Sequence, residues 1–347
     1  MSEAQVSNLS VNLKEAANII EQCLKVKLVP MMTGSPALGK SAIVAQIAQK
    51  FGLKMIDLRL SQCDPTDLLG FPTIDKATGK AHYAPMSTFP LEGDPIPEGY
   101  NGWLLFLDEL TSASRSVQAA GYKLILDHMV GEHKLHPRLV IVGAGNRESD
   151  GAIVEPMSTA LQSRLVHVDV VLDVDCWLEW AMHNGIDHRI TSYIKFKPDM
   201  LYTFQPDHTD KTYGSPRTWE FSNRLVNGKS TIKADMLNIL GGCISEGLAR
   251  EFIGFCSIYA DLPTVAQIAA NPEGITMPDE PSVLYALSGS LANHATPDTM
   301  DKLYKFILRM PIEFQIVTLR EVVRRNKEMV RVPAVQNWLA TQAVELF

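Results

Sequence analysis

The eight residues GSPALGKS, from Gly34 to Ser41, constrain the fold of this chain more than any other stretch. The short apolar run KLVPMMT comes directly before them and predicts a buried strand. The segment SAIVAQIAQKF follows, with apolar residues at helical spacing up to the stop signal Gly52. A strand, a glycine-rich loop and a helix in this order form the context that a phosphate-binding loop requires.

The loop predicts a site for the phosphates of a nucleotide, because its N–H groups and the N-terminus of the helix favour bound anions. Lys40 is expected to reach the β- and γ-phosphates, and Ser41 to offer its hydroxyl to Mg²⁺. An ordinary loop leading into a helix is the alternative interpretation. The predicted phosphate-binding residues are Gly34, Ser35, Pro36, Ala37, Leu38, Gly39, Lys40 and Ser41.

A second apolar run, from Trp103 to Leu107, predicts a central parallel strand that ends in two carboxylates, Asp108 and Glu109. Ligands of open α/β sheets bind at the carboxyl ends of the strands, which is where both acids fall. We expect Asp108 to hold the metal ion and Glu109 to accept a proton from an attacking water. An exposed acidic pair after a buried strand is the alternative.

A third apolar run, RLVIVGAGN, ends in Asn146, whose amide can orient a water near the γ-phosphate. Further strands are predicted at 54–60 and 164–170. Five short strands that alternate with helical segments predict an α/β fold with a parallel sheet covered on both faces.

The motifs together resemble the AAA+ ATPase core, and most closely its MoxR-type branch. The resemblance covers roughly residues 12 to 228 and includes LLFLDEL, DPTDLLG, EPMSTALQSRL and GSPRTWEF. It implies ATP and Mg²⁺ as ligands and a ring of subunits, with a hexamer as the expected size. It also implies an AAA+ α/β core at 1–171 and an α-helical lid at 172–257. A Pro-rich stretch near 258–282 and the helical pattern that follows it predict a helical C-terminal extension at 258–347.

The same resemblance assigns roles to arginines. Arg164 is expected to be the arginine finger that reaches ATP held by a neighbouring subunit, and Arg217 to be sensor 2 on the lid. Arg147 is an alternative finger, and Arg115 a weaker one. A solvated arginine at the edge of a strand remains the alternative for Arg164.

The sequence departs from the branch after the acidic pair, where the pattern D-E-x-N-R/K is usual and Thr111 and Ser112 stand at the last two positions. The segment FPTIDKATGKAHY predicts a hairpin with its turn at Thr78 and Gly79. Its place matches that of the branch's helix-2 insert, which tends to face the central pore.

Composition excludes several classes of protein. A formal net charge of -7 argues against bulk coating of nucleic acid. The five cysteines form no C-x-x-C pair, which favours reduced thiols in the cytoplasm. The N-terminal sequence has no secretory pattern, and no apolar run approaches the ~18 residues of a membrane helix.

Two other patterns are weaker. Asp169, Asp173 and Asp175 have a spacing that suggests calcium, but the remaining features of a calcium loop are missing. The basic stretch 319–331 predicts one helix, which is either a core helix with a solvated face or a local strip for a partner or nucleic acid.

These features together predict an AAA+ ATPase that remodels or assembles a macromolecular partner, by analogy a von Willebrand factor A-type protein. One alternative is a DNA-directed AAA+ motor or loader. Another is a nucleotide-gated binding module with negligible turnover, which an intact Glu109 disfavours.

Overall fold

The computed structural model describes residues 9–150 and 154–342, and these form two compact units. The N-terminal unit contains the described residues up to Asp173 together with Gln205–Asp207. The C-terminal unit contains residues 174–204 and 208–342. The further division of the chain near residue 258 stays a prediction.

The N-terminal unit is built on a five-stranded parallel sheet with two small antiparallel pairs beside it. Its strands are β1 (Val29–Thr33), β2 (Leu53–Arg59), β3 (Phe71–Ile74), β4 (Ala81–Ala84), β5 (Gly102–Asp108), β6 (Met129–Val130), β7 (His133–Lys134), β8 (Leu139–Gly145) and β9 (Leu165–Asp169). The order in the large sheet is β2-β5-β8-β1-β9. The α/β class and the five parallel strands predicted from the sequence are therefore confirmed.

Helices cover both faces of this sheet. They are α1 (Leu13–Lys25), α2 (Lys40–Phe51), α3 (Pro65–Leu69), α4 (Arg115–Leu126) and α5 (Thr159–Gln162). Strand β5 shows the layering, because its alternate residues enter different cores. Leu104 and Phe106 pack with apolar residues of α1 and α2, whereas Leu105 and Leu107 pack with those of α4. This burial on both faces explains why the strand is a continuous apolar run.

The register of the sheet places the ends of its strands at one edge. Arg59 at the end of β2 lies opposite Asp108 at the end of β5, and Leu107 lies opposite Gly143 of β8. In β1, Thr33 is paired with both Gly145 of β8 and Asp169 of β9. The residues that follow β1, β5 and β8 are therefore neighbours in space, although they are far apart in sequence.

The predicted hairpin is present as β3 and β4, which pair from Phe71 opposite Ala84 to Ile74 opposite Ala81. Gly79 in its turn has a φ of 68°, in the left-handed region that favours glycine. Phe71, Ile74 and Tyr83 expose large fractions of their side chains.

The described residues of the C-terminal unit form helices joined by loops, with no strand among them. Its helices are α6 (Val174–His183), α7 (His188–Phe196), α8 (Pro216–Val226), α9 (Leu237–Ile244), α10 (Glu246–Asp261), α11 (Val265–Ala270), α12 (Pro281–His294), α13 (Pro297–Ile307), α14 (Ile312–Arg325) and α15 (Pro333–Gln342). Tyr193 of α7, Trp219 of α8 and Phe252 of α10 are fully buried and contact one another through their rings. No helix in the described parts of the chain is long and apolar enough to cross a bilayer.

The basic stretch 319–331 is not one helix, as the sequence predicted. Helix α14 ends at Arg325, and a separate 3₁₀ turn covers Lys327–Arg331. Asn326 separates them with an extended backbone, and its side chain accepts a hydrogen bond from the N–H of Glu328 at 3.0 Å. An Asn side chain that caps a following turn competes with continuation of the helix, which explains the break.

Candidate functional site

The glycine-rich loop leads from β1 into α2 as predicted, and two of its glycines are required by its geometry. Gly39 has a φ of 102°, which a residue with a Cβ atom rarely adopts. A Cβ atom on Gly34 would lie 2.7 Å from the backbone oxygen of Val170. Gly39 is the N-cap of α2 and has no side chain to occupy the first N–H groups. The start of the helix can therefore present these groups to an anion.

The Lys40 side chain is buried and lies along the loop rather than in solvent. Its Nζ donates to the backbone oxygens of Gly34 at 2.5 Å and Ser35 at 2.9 Å, and to Oδ1 of Asn146 at 3.2 Å. The ammonium thus lies between the loop and the end of β8. A buried cation in this position can attract an anion into the loop more strongly than a solvated one would.

Ser41 and Asp108, the two residues expected to hold the metal ion, are hydrogen-bonded to each other. Oγ of Ser41 donates to Oδ2 of Asp108 at 3.1 Å, and the N–H of Glu109 donates to Oδ1 of Asp108 at 2.9 Å. A hydroxyl and a carboxylate side by side match the oxygen donors that Mg²⁺ uses when phosphates and waters complete its shell. Among the described residues, no group of three or more His, Cys, Asp or Glu side chains is arranged to hold a metal ion.

Glu109 has an unusual backbone. Its φ is 57° and its ψ is 31°, a left-handed conformation that costs energy for a residue other than glycine. Strain of this kind is concentrated at functional sites. Oγ of Ser61, in the 3₁₀ turn Leu60–Gln62 that follows β2, donates a hydrogen bond to Oε2 of Glu109. The Glu109 side chain therefore lies beside the turn that follows the neighbouring strand β2.

Asn146 follows β8 and is held through its backbone by Thr111. The N–H of Asn146 donates to Oγ1 of Thr111 at 3.0 Å, and that hydroxyl donates to the backbone oxygen of Asn146 at 3.2 Å. Gly145 allows this close contact, because a Cβ atom there would lie 2.4 Å from Oγ1 of Thr111. The amide side chain of Asn146 is left to contact Lys40.

Asp57 of β2 adds another carboxyl group near this edge. Burial raises its pKa, and the negative charge of Asp108 raises it further, whereas Arg59 opposes the shift and Glu109 adds to it. Burial is the larger cause of this pKa shift, and repulsion from the Asp108 and Glu109 carboxylates adds to it. Bound Mg²⁺ would relieve that repulsion.

The predicted arginines differ in their surroundings. Arg164 lies between α5 and β9, is exposed, and donates to the backbone oxygen of Ala160 at 2.8 Å. Arg147 donates to the backbone oxygen of Val170 at 2.9 Å. Arg115 pairs with Glu155 at 3.0 Å. Arg217 belongs to the C-terminal unit, where it is exposed near the start of α8.

The structure brings together the residues predicted from the loop and from two strand ends. Hydrogen bonds join Lys40 to Asn146, and they join Asp108 to both Ser41 and Glu109. Ser61, Thr111 and Asp57 were not predicted as site residues. The only sequence signals for them were polar residues in or after the strand at 54–60 and the departure from D-E-x-N-R/K.

No protein-family model matches the chain. Among solved structures, a presumed ATPase from Cytophaga hutchinsonii is 14% identical with a TM-score of 0.37, covering 96% of this chain and 89% of that one. A RuvB variant from Thermotoga maritima is 17% identical with a TM-score of 0.40, covering 86% and 88%. RuvB described as a Holliday junction branch migration motor, from the same organism, has a TM-score of 0.37. Because these TM-scores are low, a function for this chain has to be inferred from its own residues.

Proposed function

We propose that this protein is an AAA+ ATPase that binds and hydrolyses Mg-ATP. One observation carries the proposal: two hydrogen-bonded pairs, Lys40 with Asn146 and Ser41 with Asp108, lie at the carboxyl edge of a parallel sheet. The pairs are neighbours because Lys40 and Ser41 are consecutive residues at the start of α2. An acidic residue with a strained backbone, Glu109, adjoins Asp108. Phosphate-binding, metal-binding and base functions are thereby available at a single place.

Binding of ATP would use the loop and Lys40. The N–H groups at the start of α2 would donate to the phosphates, and the ammonium of Lys40 would exchange protein carbonyl and amide oxygens for phosphate oxygens. Ser41 and Asp108 would hold Mg²⁺. When bound, this ion would supply positive charge that neutralises charge developing on the phosphates.

Hydrolysis would use Glu109 and Asn146. The Glu109 carboxylate, released from Ser61, would accept a proton from the attacking water, and the Asn146 amide would orient that water. Thr111 would hold Asn146 in place through its backbone. The residues of this chain would thus position the reacting groups. Positioning and electrostatic stabilisation are the main ways in which proteins catalyse phosphoryl transfer.

The assembly proposed for this activity is a ring, with six subunits as the expected number. Arg164 is exposed beside α5, which leaves it accessible to ATP held by a neighbouring copy. The proposed role is to remodel or assemble a protein partner in the cytoplasm, by analogy with MoxR-type rings and their von Willebrand factor A-type partners. The sensor 2 role of Arg217 stays a prediction.

The test of hydrolysis is the variant Glu109→Gln, which keeps the shape of the side chain and removes its basicity. We expect it to bind Mg-ATP like the wild type and to hydrolyse it at least ~100-fold more slowly, because a positioned base contributes that much. Steady-state phosphate release and nucleotide titration measure the two effects. Turnover at the wild-type rate would show that Glu109 does not activate the water.

A further inference from the structure

The segment that follows β8 contacts the glycine-rich loop at two points. The Asn146 side chain accepts a hydrogen bond from Lys40. Four residues later, Oδ1 of Asp150 accepts a hydrogen bond from Oγ of Ser35 at 3.0 Å. Asp150 lies in the 3₁₀ turn Glu148–Asp150. The loop is therefore attached to this segment through a neutral amide and, separately, through a carboxylate.

The second oxygen of the Asp150 carboxylate is in an unfavourable position. Oδ2 is buried and has no hydrogen-bond partner within the described ranges 9–150 and 154–342. Burial of an unpaired carboxylate oxygen is costly. The arrangement is therefore not explained by its contribution to stability, which raises the question of what the charge does there.

Ser35 lies between the Asp150 carboxylate and the Lys40 ammonium. The backbone oxygen of Ser35 accepts from Lys40 at 2.9 Å, while its hydroxyl donates to Asp150. One residue thus connects the carboxylate to the ammonium that is expected to hold the terminal phosphates. The Asp150 carboxylate would repel a phosphate bound beside Lys40 in this partly buried site.

We propose that Asp150 is a charge-selective latch on the phosphate-binding loop. Its carboxylate holds Ser35 before nucleotide binds, and its charge opposes entry of the phosphates, so it lowers affinity for the triphosphate more than for the diphosphate. Asp150 is thus a residue that sets nucleotide specificity. This inference rests on the proposed function, because it requires that phosphates bind beside Lys40.

The experiment compares the wild type with Asp150→Asn by titration calorimetry with Mg-ATP and with Mg-ADP. The amide can still accept the hydrogen bond from Ser35 but carries no charge. We expect Asp150→Asn to bind Mg-ATP ~10-fold more tightly, with a smaller gain for Mg-ADP. Asp150→Ser, a second neutral side chain, should also tighten binding if the first variant folds poorly.

Glu148→Gln is the matched control, because Glu148 is exposed in the same turn and loses the same charge. It should change both affinities less than twofold, and Asp150→Glu should remain close to the wild type. Unchanged or weaker ATP affinity in both neutral variants, with a wild type that binds ATP, would overturn the latch alone. If the wild type binds neither nucleotide, the proposed function itself fails and the latch fails with it.

Discussion

At the residue scale, Thr111 departs from the pattern D-E-x-N-R/K but has a clear structural role. Its hydroxyl is buried and makes two hydrogen bonds to the backbone of Asn146, whose side chain contacts Lys40. Thr111 does not itself reach the proposed reacting groups, so it is a positioning residue. Its effect on turnover should pass through the placement of the Asn146 amide.

We predict that Thr111→Val lowers kcat ~10-fold with little change in the affinity for Mg-ATP, because two backbone groups of Asn146 lose a partner worth ~1–3 kcal/mol. Steady-state rates and nucleotide titrations separate the two quantities. Thr111→Ser keeps the hydroxyl and should retain most of the rate. Equal loss of rate in Thr111→Val and Thr111→Ser would show that the methyl group, rather than the hydroxyl, matters.

Several site residues could be predicted from the sequence because their motifs are local. Lys40 and Ser41 follow from the loop, and Asp108 and Glu109 from the end of an apolar run. Ser61 could not be assigned to Glu109, because their contact depends on β2 lying beside β5. The order of the strands depends on how the whole sheet packs, and local sequence patterns do not predict it.

At the element scale, the strands were predictable and the ion pairs between helices were not. The five predicted strands match the observed ones to within one or two residues. In β1, β5 and β8, burial on both faces leaves a continuous apolar signal. The basic face of α14 instead contributes to a buried cluster. Glu321 there binds both Lys195 of α7 and Arg325, and its side chain is only 1% exposed.

This cluster illustrates why a charged stretch is ambiguous in sequence. Burial alone would raise the pKa of Glu321, but the charges of Lys195 and then Arg325 outweigh burial and lower it. Arg325 is therefore committed to an internal contact between α14 and α7 rather than to a basic strip on the surface. The helical pattern of α14 can suggest the pair of Glu321 and Arg325, which are one turn apart. The pairing of Glu321 with Lys195 depends on tertiary packing, and no local pattern identifies it.

At the scale of the whole molecule, the effect of replacing Arg164 would distinguish the proposed ring from an isolated ATPase. An arginine finger acts on the ATP held by the neighbouring subunit, so its loss leaves ATP binding by its own subunit intact. We predict that Arg164→Ala binds Mg-ATP normally and hydrolyses it ~10³-fold more slowly, the scale expected for an arginine finger. Phosphate release and nucleotide titration measure the two effects.

Mixing provides the control for that prediction. Lys40→Ala subunits lack a functional loop but keep Arg164, so rings that contain both variants should regain some activity. The ATPase rate is measured against mixing ratio, with subunit exchange confirmed by native mass spectrometry and coordination tested by doping with wild type. Full activity of Arg164→Ala alone would reject its role as a finger and make Arg147 the next residue to test.

The central claim, that ATP binds at the glycine-rich loop, is tested most directly by titration calorimetry of Lys40→Ala against Lys50→Ala. Both lysines belong to α2, but Lys50 is exposed in an ion pair with Glu21, whereas Lys40 is buried in the loop. We predict that Lys40→Ala abolishes measurable binding of Mg-ATP, because the terminal phosphates lose their counter-charge, and that Lys50→Ala binds like the wild type. Near-normal affinity in a folded Lys40→Ala protein would contradict this account.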